Sequence, residues 1–100
     1  MDIMTAKEKT FFRMCIKFVL CDLWTVREVI DLVHDSILES ECHSYLSKWE
    51  QLGLYKSNLK IDAGVFTGNP GCYPSGYLEI AKEYVDYSLY AKNTRTVMDT

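Results

Sequence analysis

Proline and glycine are sparse in this chain. Of two prolines and five glycines in 100 residues, both prolines and three glycines lie between Thr67 and Gly76, which marks that segment as a loop. Long apolar runs are absent too. The most apolar stretch, Phe11 to Cys21, has eleven residues and carries Arg13 and Lys17, far from the roughly 20 apolar residues that span a bilayer. The opening MDIMTAKEKT lacks the basic start, apolar run and small-residue cleavage site of a signal peptide. A soluble, cytoplasmic protein with no membrane partner is expected. Cys15, Cys21, Cys42 and Cys72 form no C-x-x-C pair and show no ligand-like spacing, so no zinc site is expected. Buried, reduced thiols acting as small apolar residues are the reading. No phosphate-binding glycine loop is present, because Gly68-Asn-Pro-Gly71 lacks the lysine and following helix that such loops use. Positive charge is also short: the net charge is −3 and the pI near 5.3, so nucleic-acid binding would need a local patch. No cofactor is implied.

What the chain does have is apolar content, 48% over 100 residues, enough for one core and one domain spanning 1–100. Thr5-Ala-Lys-Glu8 fits a capping box, in which the threonine accepts from the Glu8 amide and the glutamate reaches back. It opens a helix over about 6–21 that is apolar on most sides. Lys9, Arg13 and Lys17 form its polar strip, read as a solvated edge in preference to a phosphate-contacting stripe. Thr25-Val-Arg-Glu28 is a second capping box, opening a short helix whose Val26, Val29, Ile30 and Val33 turn to the core and which breaks near His34-Asp35.

The stretch from Ser36 to Leu54 organises the rest. At about 100° per residue, Leu38, Cys42, Tyr45, Leu46, Trp49 and Leu52 share one side of a helix, while Ser40, His43, Ser44, Ser47 and Gln51 share the other. The helix starts at Ser36, with Glu39 completing a box, or at Ser40, with Glu41 in the first turn. Gly53 stops it. Beyond Tyr55 the helical period disappears. Leu59, Ile61, Ala63 and Val65 alternate with Lys60, Asp62, Gly64 and Phe66 as a strand with one buried face, and Tyr77 to Ile80 returns as its partner. A final helix over about 81–91 carries Tyr84, Val85, Tyr87, Leu89 and Tyr90, and the residues after it read as a frayed tail.

A helix ending in W-E-Q-L-G-L and running into a β-ribbon resembles the third helix and wing of the winged helix-turn-helix family. The resemblance implies an α+β, mainly helical fold with a two- or three-stranded wing and a C-terminal helix, Leu23-Trp24 being the candidate third strand. A start at Ser40 makes the turn between the second and third helices longer than the family's. The resemblance also implies that the third helix enters the DNA major groove. Ser40, His43, Ser44, Ser47 and Gln51 would lie there, with Lys48 at the margin and Lys56, Lys60 and Arg27 as phosphate anchors. Serine, histidine and glutamine can hydrogen-bond phosphates or base edges. Against this, the helix carries Glu39, Glu41 and Glu50 against Lys48 alone, and Ile61 to Ala81 holds no lysine or arginine.

Catalysis is not expected. Cys42 and His43 point about 100° apart on a helix and cannot form a thiolate–imidazole pair with each other. Two non-enzymatic uses follow. The first is a DNA-binding transcriptional regulator that dimerises through Tyr84, Tyr87, Leu89 and Tyr90. The second is a protein that binds a protein partner, as in small viral or mobile-element inhibitors and adaptors, through the acidic third helix and a wing tip with Tyr73 as aromatic anchor.

Overall fold

The computed structural model describes residues 4–58 and 63–85. In order these form α1 (Ala6–Cys15), a π-helical stretch (Ile16–Leu20), α2 (Val26–Leu32), α3 (Glu39–Leu52), β1 (Tyr55–Asn58), β2 (Ala63–Phe66), a 3-10 turn (Pro70–Cys72) and α4 (Ser75–Ala81). The architecture is α+β and mainly helical, with one two-stranded antiparallel sheet among the described residues. No helix among them is long and apolar enough to cross a membrane.

Thr5 caps α1, its hydroxyl accepting from the Glu8 amide at 3.2 Å. Glu8 does not reach back, because its carboxylate is drawn into the core. Past Cys15 the winding loosens: the Cys21 amide donates to the Ile16 carbonyl at 3.2 Å, five residues back, the spacing of a π-helix. The chain leaves through Leu23, a non-glycine residue at φ 63° that is 89% exposed. Trp24 then donates its amide to the Phe18 carbonyl and stacks on the Phe18 ring at 4.2 Å. Leu23-Trp24 is therefore a helix exit, and no third strand forms among the described residues.

The capping box at Thr25 is complete, with both reciprocal bonds to Glu28 made. Val26, Val29 and Ile30 are buried beneath it. Residues 33–38 then turn the chain, pinned by buried Val33 and Ile37. The third helix begins at Glu39, with Leu38 at the cap and the Glu41 carboxylate accepting from the Leu38 amide at 3.1 Å. Neither anticipated start is used. Ile37, before the cap, and Cys42, four residues into the helix, are both buried, the placement of a hydrophobic staple that sets the entry point. Gly53 ends α3 at φ 84°, and its neighbour Leu54 donates to the Trp49 carbonyl at 3.1 Å.

The hairpin differs from its sequence reading. Tyr55 pairs with Phe66 and Asn58 with Ala63, so the return strand is β2 and not Tyr77 to Ile80. The inward face is also the opposite one, with Val65 61% exposed and Phe66 only 4%. A one-residue difference in strand phase exchanges every side chain between faces. The larger aromatic takes the core side, packing near Phe12, Trp49 and Tyr55. Residues 75–81 are helical instead, because Tyr77, Ile80 and Ala81 bury one face at helical spacing. Of the helix expected over 81–91, Ala81 is instead the end of α4 and residues 82–84 form a turn, while residues 86–91 lie outside the described residues. Tyr87, Leu89 and Tyr90 lie outside the described residues, as does Lys60.

The core is aromatic. Trp49 is fully buried, with the Phe11 and Phe12 rings at 5.4 and 5.1 Å, and Phe12 meets Tyr77 edge-on at 5.0 Å. Inside this cluster sits Glu8, 2% exposed. Its carboxylate accepts from the Trp49 indole at 3.0 Å, the Tyr77 hydroxyl at 2.6 Å and the Lys48 ammonium at 3.1 Å. One side chain thereby joins α1, α3 and α4.

Candidate binding surface

The α3 stripe sorts as its spacing requires. Cys42, Leu46 and Trp49 are buried, whereas Ser40, His43, Ser44, Ser47 and Gln51 are exposed. Leu38 departs from the stripe, being the cap residue and 66% exposed. The outward face is therefore an uncharged, hydrogen-bonding strip flanked by charge.

The flanking cations are largely committed. Arg27 donates from Nη2 to Asp31 Oδ1 and to Glu39 Oε1, both at 2.8 Å, bridging α2 to the first turn of α3. Those bonds, to Glu39 first, raise the arginine's pKa further, and Arg27 with His43 holds the Glu39 carboxyl down at about 2. His43 adds a 3.4 Å contact to Glu39 Oε2. Lys48 is turned into the protein toward Glu8, and burial, which alone would lower its pKa, is more than offset by Glu8 and Tyr77 together, so the ammonium is held charged. Lys48 is thus a structural cation and not a free margin of the α3 face. Lys56 is exposed and has no ion pair among the described residues.

Two other expectations change. Tyr73 is not a wing-tip anchor: it is 5% exposed, donates its hydroxyl to the Thr67 carbonyl and sets its ring edge-on to Phe12. Its apolar ring gains more in the core than on a polar loop. Tyr84, by contrast, is 36% exposed. Of the cysteines, all free, Cys15 and Cys42 are buried but Cys21 and Cys72 are exposed. Burial pushes the Cys42 thiol up to about 11, so it stays protonated and inert near neutrality. His34 Nδ1 hydrogen-bonds the Asp31 carbonyl at 2.7 Å, and its Nε2 lies 3.1 Å from Asp35 Oδ1, both partners being close in sequence.

Beside the serine strip lies a cleft of about 260 Å³ between α2, α3 and β1. Its floor is apolar, made by Val26, Ile30, Leu46 and Tyr55, each under a tenth exposed. Its rim is polar: Arg27, His43, Ser47, Glu50, Ser57 and Asn58. Glu50 Oε1 accepts from the Ser57 amide at 3.3 Å, tying α3 to β1. Among these rim residues His43, Ser47 and Arg27 are sequence candidates, whereas Glu50 enters the sequence pattern only as an opposing charge. Its position seven residues after His43 and three after Ser47, on the same helix face, was the available signal. No family model matches the chain, nor does any curated protein or solved structure.

Proposed function

We propose that this chain is a non-catalytic binding module of winged-helix layout that engages a protein partner through the outward face of α3 and the cleft beside it. The layout draws support from element order: helices α2 and α3 joined through a turn, then a glycine-terminated α3 leading directly into the antiparallel pair β1 and β2. The longer inter-helix turn and the short α4 depart from that layout.

The observation that carries the partner reading is the fate of the cations. Between Val26 and Asn58 the carboxylates are Glu28, Asp31, Asp35, Glu39, Glu41 and Glu50, against Arg27, Lys48 and Lys56. Arg27 and Lys48 are held by carboxylates of the chain itself. Among the described residues Lys56 is the open phosphate anchor of this surface, and a single such contact contributes a salt slope of only about −1 to duplex binding. A DNA-binding regulator, first in order from the sequence, loses most of its electrostatic basis. An apolar-floored cleft with a polar rim instead suits a protein surface, where an apolar centre is ringed by polar groups.

The test is capture of a partner from source cells by the tagged protein after nuclease treatment. Capture that survives nuclease and is lost when Ser44 and Ser47 are both replaced by tryptophan is the expected result. Selection of a defined duplex sequence from a random library at low salt, abolished by the same double variant, would overturn the reading in favour of DNA. Dimerisation through the segment beginning at Tyr84 is a separate proposal, which sedimentation showing only monomer at tens of micromolar would remove.

A further inference from the structure

Resting on the protein-partner reading, we propose that the cleft between α2, α3 and β1 receives an arginine side chain from a basic segment of that partner. The stem would lie over Val26, Ile30 and Leu46, and the guanidinium would meet Glu50.

Size comes first. At about 260 Å³ the cleft falls below the 300–1,000 Å³ usual for small-molecule sites and suits a single inserted side chain. Composition then selects which one. An apolar floor with a polar rim matches a side chain whose body is aliphatic and whose end is charged, as in arginine and lysine. Charge sets the sign. Glu50 uses Oε1 for the Ser57 amide, which leaves Oε2 open toward the cleft among the described residues. The Arg27 guanidinium on the same rim does not oppose a second cation strongly, since Asp31 and Glu39 already surround it. The carboxylates of Asp31, Glu39 and Glu50 outnumber that one cation. A phosphate or acidic side chain would meet repulsion here. Arginine is preferred to lysine because its planar fork can donate to Glu50 and to the Ser47 hydroxyl together, and because it is less strongly hydrated.

The experiment selects short random displayed peptides on the full chain and measures recovered peptides by fluorescence anisotropy at low salt. Recovered peptides should share an arginine, and replacing it by alanine should weaken binding about tenfold or more. Glu50→Gln should weaken binding by a similar factor while keeping a carbonyl oxygen for the Ser57 amide. Glu50→Lys and Ser47→Trp, the latter filling the mouth of the cleft, should abolish binding. Circular dichroism and the urea midpoint establish that each variant folds. Peptides blocked by Ser47→Trp yet indifferent to their arginine or to Glu50→Gln would overturn the arginine assignment and leave the partner reading standing. Recovery of no peptide sensitive to Ser47→Trp, alongside enrichment of a duplex sequence, would overturn both.

Discussion

Replacing Glu8 by alanine is expected to lower stability by about 3–5 kcal/mol. The estimate follows from what the carboxylate leaves behind. The Trp49 indole and the Tyr77 hydroxyl, on residues 0% and 2% exposed, lose their acceptor with no water to replace it. Each buried orphan donor costs about 1–3 kcal/mol. Lys48, whose side chain is 33% exposed, can turn to solvent and adds less. Relief of carboxylate desolvation offsets part of the total. Urea unfolding followed by tryptophan fluorescence and circular dichroism gives the number, and a loss below about 1 kcal/mol would refute the reasoning. The companion test is a double-mutant cycle: Tyr77→Phe should cost less in a Glu8→Met background than alone, by about 1–3 kcal/mol, because the orphaned hydroxyl is then gone. Titration gives a second handle. Burial raises the Glu8 pKa, but the hydrogen bonds from Tyr77, Trp49 and Lys48 together more than reverse this and hold it below its ordinary 4.5. A folded-state value below the unfolded one means the stabilisation is complete above about pH 4.5 and disappears as pH falls through the folded value. The wild type should therefore lose stability on acidification below that point more steeply than Glu8→Gln, measured by urea midpoints across the range.

Gly64→Ala should destabilise by about 1–3 kcal/mol in urea unfolding, because a Cβ there would lie 1.9 Å from the Tyr55 hydroxyl oxygen and the ring would have to move. Thr25→Ala removes the side chain of the completed capping box and should cost about 1 kcal/mol by the same measurement. Leu23→Gly should stabilise by about 0.5–1 kcal/mol, since φ 63° is strained for leucine and the exposed side chain contributes little packing. A thermal midpoint unchanged or lowered in Leu23→Gly would refute the strain at this position.

What could be read from the sequence was what local chemistry decides. The threonine caps of α1 and α2, the glycine stop of α3 and the sorting of that helix into buried and exposed sides all depend on residues within a turn or two of each other. The hairpin phase was not of this kind. Alternation at 63–66 is compatible with either face inward, and the choice fell to Phe66 because an aromatic cluster waits on that side. Helix α4 was hidden by its brevity and by Pro74 at its cap, though Tyr77, Ile80 and Ala81 carry helical spacing. Glu8 fitted a local box, and nothing nearby announces donors 41 and 69 residues away. The candidate binding surface follows the same division. Its serine strip is local and was legible, whereas the pairing of Arg27 with Glu39 and of Lys48 with Glu8 is long-range and changed the electrostatic reading.

The loosened winding at Ile16–Leu20 works as an insertion absorbed in place. A π-turn holds one residue more than the α-turn it replaces, so the chain beyond it stays nearly in phase with α1. Deleting one residue there would restore ordinary helical geometry without turning the downstream chain far. What it would disturb is local: the Phe18 carbonyl that accepts from the Trp24 amide, and the ring stack between the two. A shortened protein would thus keep its body and lose the fastening at the exit of its first helix.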